Sequence, residues 1–330
     1  MVWIAMLCIM KVRWKVLEGE EKASGTRLRI LFSGDDTDCT YVIKMAFKGE
    51  YRVVSAGKLP PRLFLLMARA NVLNCDILFF RYERKKMSLS ARRHEFILPL
   101  WIGSSIELPI SAKNKSARSD VRRIIRNNLT YRIEDSPSSI ENFINEFWIP
   151  TIQQRYPDKD TDRMRNGEWR KYRCELLVVQ NGVFDLSGAV IRYGDSVPLL
   201  WMNGLKDGDL SLWKIGGISA SYYFAGKYLH ENGHDSVNLG LSRPFLNDGV
   251  LMYKKKWNPL FWRSDAYSVL LKVMNDSCAT RAFLARNQFF SYYGDELCAT
   301  VFDEGVPEEK DVPFFKGIDC IKHIDLNTFF

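Results

Sequence analysis

The sequence predicts an α/β (α+β) fold, a mixed sheet flanked by helices and preceded by a smaller α/β module. Three observations carry that expectation. The chain has 330 residues, which at about 150 per domain suggests two units. Short apolar runs alternate along it with stretches of helical periodicity. Asn181-Gly182 stands between two apolar runs, the strongest short-range hairpin signal. The expected division is an N-terminal module over 1–108 and a second domain over 109–330 with a helical C-terminal extension.

Composition narrows the classes. Hydrophobic residues make up 46% and charged residues 26%, ordinary for a globular chain and unlike collagen, a disordered tail or a polytopic membrane protein. The balance of 47 basic and 39 acidic side chains gives +8, which suits an anionic partner: RNA, a nucleotide cofactor or an anionic lipid surface. Seven dispersed cysteines without a C-x-x-C pair argue for a reducing compartment and against a disulfide framework or a zinc site. The apolar run Met1–Met10 falls short of the ~20 residues that span a bilayer. It lacks a preceding basic region and a small-residue cleavage site. It reads as a buried strand or a leader, and the expected location is cytoplasmic.

In the first module Leu28–Phe32 reads as a strand, ended by Ser33-Gly34-Asp35-Asp36 and followed by a helix to Phe47. Tyr51–Val54 is a second strand, broken at Ser55-Ala56-Gly57. Pro60-Pro61 opens a helix from Arg62 to Ala70, where proline is tolerated. Cys75–Phe80 is a third strand. This order suggests a parallel α/β piece. Ser33–Asp36 lacks the G-x-G-x-x-G spacing of a dinucleotide turn. Arg81–Arg93 is a charged, solvated segment.

Lys113–Arg126 reads as a basic amphipathic helix. Arg118, Arg122 and Arg126 recur every four residues and so share a face, either a solvated surface or a contact for phosphates. Tyr131–Ile133 is a short strand. Ser138-Ser139 caps a helix over Ile140–Gln154 that Pro150 kinks. Arg155–Trp169 links it to the hairpin Glu175–Gln180 and Val183–Arg192. Pro198–Met202 is a further strand. A helix from Gly217 to about Glu231 packs through Ile218, Tyr222, Ala225 and Leu229 and closes at Asn232-Gly233. Val237–Gly240 is a strand, Asp248–Lys256 a helix and Phe261–Arg263 a last strand. Beyond Asp265 the sequence suggests helices over Ala266–Met274 and Ala279–Phe290, then an acidic loop from Asp303 to Asp311.

The chemistry centres on two segments. Lys214, Gly216, Gly217 and Ser219 form a glycine turn entering a helix, which gathers unpaired N–H groups and the positive dipole end where a pyrophosphate binds. In the second segment Asp248 is a base, a substrate anchor or an N-cap. Arg243 suits a carboxylate or phosphate, or else a loop-fixing ion pair. Lys254, Lys255 and Lys256 are a substrate-facing run or a solvated one. There is no G-x-S-x-G elbow, P-loop, H-E-x-x-H or paired-cysteine metal pattern.

Ser116 to about Arg263 resembles the GNAT acyltransferase fold in its FemAB-like branch, which transfers acyl groups from acyl-CoA or aminoacyl groups from tRNA. The likeness rests on Lys214-x-x-Gly217-x-Ser219, a loose form of the R/Q-x-x-G-x-G/A turn, and on Leu239–Trp257, a strand, loop and helix with an aromatic-Lys ending. Asn258 stands where the family commonly has glycine. The resemblance implies acyl-CoA, acetyl-CoA above all, as co-substrate, held by Lys214, Gly216, Gly217 and Ser219, with no metal. It implies a gap between Pro198–Met202 and Val237–Gly240, and Tyr253 as proton donor to the departing thiolate, with Asp248 and Arg243 beside it. The acceptor would be an amine or hydroxyl on a small molecule, sugar or peptide, with Arg118, Arg122, Arg126 and Lys254 as contacts. An aminoacyl-tRNA donor and a non-catalytic binding module are the alternatives.

Overall fold

The computed structural model describes residues 11–157, 160–194, 196–264, 266–305 and 315–330. The run Met1–Met10, and residues 306–311 of the acidic loop, lie outside them.

The strands form two mixed sheets. The first has nine strands in the order β16-β15-β14-β5-β13-β4-β2-β1-β3. It contains β1 (Val12–Glu21), β2 (Arg27–Ser33), β3 (Phe47–Leu59), β4 (Ile77–Glu83) and β5 (Glu95–Pro99). It is completed from the far end of the chain by β13 (Tyr267–Val273), β14 (Phe289–Tyr293), β15 (Glu296–Asp303) and β16 (Cys320–Asp325). The second has seven strands in the order β12-β6-β11-β10-β9-β8-β7. These are β6 (Ile102–Glu107), β7 (Leu129–Glu134), β8 (Arg173–Asn181), β9 (Phe184–Tyr193), β10 (Leu199–Leu205), β11 (Ser236–Ser242) and β12 (Leu260–Arg263).

Two helices lie early in the chain, α1 (Asp36–Ala46) and α2 (Pro61–Arg69). Near the second sheet come α3 (Lys115–Arg126), α4 (Pro137–Phe143), a π-helical turn Ile144–Trp148, α5 (Ile149–Arg155) and the short α6 (Asp162–Arg165). Then follow α7 (Gly217–Glu231), α8 (Gly249–Lys255), α9 (Cys278–Arg286) and α10 (Leu326–Phe329). One face of the second sheet packs Leu177, Val179 and Ile191 with Ile124 of α3 and Ala220 and Leu229 of α7. The other packs Leu176, Val178 and Val190 with Phe143, Phe147 and Ile152. Fully burying a side chain of this size contributes about 1.5–3 kcal/mol.

Several expectations need correction. Ala266–Met274 is not helical: Tyr267–Val273 is β13, held between β4 and β5. A strand covered on both faces reads as a continuous apolar run, which periodicity alone does not separate from a buried helix. Ala279–Phe290 is a helix only to Arg286; Phe289 already belongs to β14. The C-terminal segment is therefore largely strand, and it extends the first sheet. Strand β6, on the N-terminal side of the expected 108/109 boundary, belongs to the second sheet. The N-terminal piece is only partly parallel: β2 runs parallel to β4, but β1 is antiparallel to both β2 and β3.

Smaller differences have local causes. β3 continues through Ser55-Ala56-Gly57 with a register shift against β1 next to Ser55, and Gly57 lies against the Trp14 indole, where a Cβ would stand 2.7 Å from Cζ2. The cap of α4 is Ser136, whose Oγ accepts the Ser139 N–H at 3.1 Å. Pro137 at the first helical position keeps the residue before it extended. Cys298 and Cys320 form a disulfide, contrary to the expectation of none. They are partners in the parallel β15–β16 register, a proximity that their 22-residue separation does not announce. Cys39, Cys75, Cys174 and Cys278 are free thiols. No helix among the described residues is long and apolar enough to cross a membrane.

Candidate functional site

The site is built where β10, α7 and β11 meet. β10 and β11 are parallel neighbours, with α7 as their crossover. They share a single register pair, Leu199 with Asn238, and one flanking hydrogen bond from Asn238 N to Pro198 O at 2.8 Å. Past that point the strands part.

The bend on the β11 side is a bulge. Register with β6 shifts between Asn238 and Leu241, the two-against-one arrangement that kinks a strand. Gly240 adopts φ +71°, a conformation that glycine takes at no steric cost. Its N–H is donated to Asn238 Oδ1 at 2.7 Å. Lys254 Nζ donates to the carbonyls of Gly240 at 3.1 Å and Leu241 at 3.0 Å. Lys254 is buried, and burial pulls its pKa down to about 7. The expected solvated or substrate-facing run is thus corrected at this position: the α8 helix turns Lys254 inward onto the bulge.

The start of α7 lies at the same junction. Gly216 takes φ +106° and supplies no side-chain cap, which leaves early helix N–H groups without the usual side-chain acceptor. Gly217 is needed for space, because a Cβ there would stand 3.0 Å from Leu205 Cδ2 and 3.2 Å from the Leu212 carbonyl. Asn127 of the α3 cap donates to the Ile215 carbonyl at 2.8 Å. The side chain of Arg123 runs beside Gly216, within 3.6 Å of where a Cβ would sit. Lys214 is exposed.

One turn into α7, Ser219 enters a buried polar group. Its Oγ donates to Asp120 Oδ2 at 2.9 Å and lies 3.2 Å from the Tyr253 hydroxyl. Lys256 Nζ pairs with Asp120 Oδ2 at 2.5 Å and lies 3.6 Å from the Tyr253 ring centroid. Arg123 reaches Asp120 Oδ1 at 3.3 Å. Tyr222 and Trp213 meet the Tyr253 ring edge-on at 5.3 and 5.7 Å. Burial drives the Tyr253 phenol well above its ordinary pKa, so it is neutral at physiological pH and a weaker acid than a free phenol. Burial also lowers the Lys256 pKa, opposed by the Asp120 carboxylate.

Two expected site residues lie elsewhere. Asp248 Oδ1 caps α8, accepting the N–H groups of Val250 and Leu251 at 3.0 Å each. Its Oδ2 accepts the Tyr41 hydroxyl at 3.3 Å. Arg243 is buried in an ion pair with Asp38 at 2.6 Å, its guanidinium 3.9 Å from the Trp101 ring centroid. Both residues therefore tie the second sheet's loops to α1, and the cap and ion-pair alternatives hold for them. Arg118, Arg122 and Arg126 are exposed on the outer face of α3.

Sequence reasoning missed Asp120 and its pairing with Lys256 and Arg123. For Asp120 a signal existed: with Ala117 and Ile124 it follows the i, i+3, i+7 apolar stripe, where a lone carboxylate needs a buried partner.

No family model and no curated protein matches the chain. Solved structures similar to it include the C-terminal domain of a protein described as a lysylphosphatidylglycerol synthetase from Agrobacterium fabrum, at 14% identity and TM-score 0.38 over 81% of this chain and 82% of that one. FemX is similar at 11% identity and TM-score 0.38, over 77% and 83% of the two chains. A tandem GNAT protein of the clavulanic acid biosynthesis pathway is similar at 10% identity and TM-score 0.31, over 76% and 80%. All three matches are at low identity and at TM-scores below 0.5.

Proposed function

We propose that this chain is an acyltransferase that moves an acyl group from acyl-CoA to an amine or hydroxyl acceptor. The observation that carries the reading is the parting of β10 from β11 beneath the uncapped start of α7, with the neutral phenol of Tyr253 at the first turn of that helix.

Each part has a chemical use. Backbone N–H groups in a gap between parted strands polarise an acyl carbonyl, as an oxyanion hole does. The glycine turn offers helix N–H groups to a diphosphate, with Lys214 and Arg123 as flanking cations. Ser219 contributes through its backbone, since its hydroxyl is engaged by Asp120. In the transfer, the acceptor nitrogen or oxygen bonds to the carbonyl carbon and the carbon–sulfur bond breaks. The departing thiolate takes the Tyr253 proton, and the proton shed by the acceptor restores the phenol through solvent. Lys254 holds the bulge that opens the gap, so it is a positioning residue in this account.

The test is thiol release from acetyl-CoA, followed with a thiol-reactive dye across a panel of primary amines and alcohols. Acceptor-dependent release is expected. No release with any acceptor, together with an unchanged melting temperature in excess acetyl-CoA, would overturn the reading.

A further inference from the structure

The outer face of α3 plays no part in the site described above, yet it is unusually composed. Arg118, Arg122 and Arg126 stand one turn apart on it, exposed, and none of them forms an ion pair among the described residues. By contrast Arg123, on the inner side, is paired with Asp120. Ile125 shares the outer face and is 67% exposed.

The β8–β9 hairpin brings more apolar surface to the same corner. The turn after α3 leads into Leu129, which pairs with Asn181 at the hairpin end. The tip residues Val183 and Phe184 are 85% and 71% exposed, Val183 the highest value among the exposed large hydrophobics. Tyr131 and Ile133 of β7 pack on the side of the sheet that carries α3 and α7. Arg132 and Asp185 pair on the opposite side. Phe184, alternating with Asp185, therefore takes the side that carries α3 and α7, and it pairs with Asn181, the partner of Leu129. Lys214 adds a further exposed cation nearby, since the preceding and following turns are joined by the Asn127–Ile215 hydrogen bond.

We propose that this corner, Arg118, Arg122, Ile125, Arg126, Val183 and Phe184, docks the protein on an anionic lipid surface. Unpaired arginines are drawn to anionic headgroups within a Debye length. An aliphatic and aromatic hairpin tip is suited to the boundary between headgroups and acyl chains. The aliphatic side chains favour a bilayer over a nucleic acid, whose phosphates would be met by the arginines alone. The proposal does not depend on the acyltransferase reading, because vesicle binding needs no turnover.

The experiment is co-sedimentation of the full chain with vesicles of phosphatidylcholine alone or with one third phosphatidylglycerol, in low and physiological salt. Binding to the anionic vesicles and none to the neutral ones is expected. Arg122→Gln with Arg126→Gln should weaken it on the order of thirtyfold, at about fivefold per charge. Val183→Ser with Phe184→Ser should weaken it on the order of tenfold and leave its salt dependence unchanged. All four side chains are exposed, so melting temperatures should match the parent's. Binding that ignores both double variants, or no binding to anionic vesicles, would overturn the proposal. So would salt-sensitive capture of bulk tRNA through the same arginines without vesicle binding, which would give the face to nucleic acid.

Discussion

The hydroxyl of Tyr253 stands 3.2 Å from Ser219 Oγ, joining α8 to the first turn of α7. Through Ser219 the phenol is linked to Asp120, and through Asp120 to Lys256. Four side chains, from three helices and the residue after α8, thus share one largely buried polar group at the start of α7.

Asp120 is the anion on which that group depends. Asp120→Ala leaves Lys256 buried without its carboxylate and is expected to destabilise the fold by about 3 kcal/mol. Denaturant unfolding measures this. The double variant Asp120→Ala, Lys256→Met should recover much of the loss, since a buried pair replaced by apolar groups is often neutral.

Lys254 makes stability depend on pH in a defined direction. Its folded pKa is lowered to about 7 from the ordinary 10.5. Between those values the unfolded chain binds more protons at this position, so its contribution makes stability rise with pH across that window. Below about pH 7 the lysine is protonated in both states and the contribution is flat. Lys254→Met should remove this part of the slope, which urea midpoints at pH 7 to 10 would reveal.

Asp248 is engaged as a helix cap, which separates two substitutions. Asp248→Asn keeps a capping oxygen and is expected to retain full stability and transfer within about threefold of the parent. Asp248→Ala should cost about 1 kcal/mol of stability. A rate collapse in the asparagine variant, at unchanged melting temperature, would instead make the carboxylate a base.

Much of the second sheet was legible because its signals are local. Asn181-Gly182 marks the β8–β9 hairpin, Gly216-Gly217 and Asn232-Gly233 bracket α7, and Asp248 caps α8. The sequence singled out Tyr253 and Ser219, whose hydroxyls lie 3.2 Å apart. It could not join them to Asp120 and Lys256, which are 136 residues apart and meet only once α3 packs on α7. It read Lys254 as substrate-facing or solvated, because the inward turn depends on where the β11 carbonyls come to lie. The return of β13 to the middle of the first sheet was hidden for a similar reason. Its partners, β4 and β5, lie far earlier in the chain, Val273 pairing with Ile77 and Ser268 with Pro99, and long-range pairing leaves no local trace.

The central claim is that the Tyr253 phenol delivers a proton to the thiolate leaving from the β10–β11 gap. The most direct measurement compares kcat, KM for acetyl-CoA and melting temperature between the parent chain and Tyr253→Phe. The account predicts a kcat lower by about a hundredfold or more, a KM within a fewfold and a stability change of about 1 kcal/mol. An unchanged kcat in a folded Tyr253→Phe protein would contradict it.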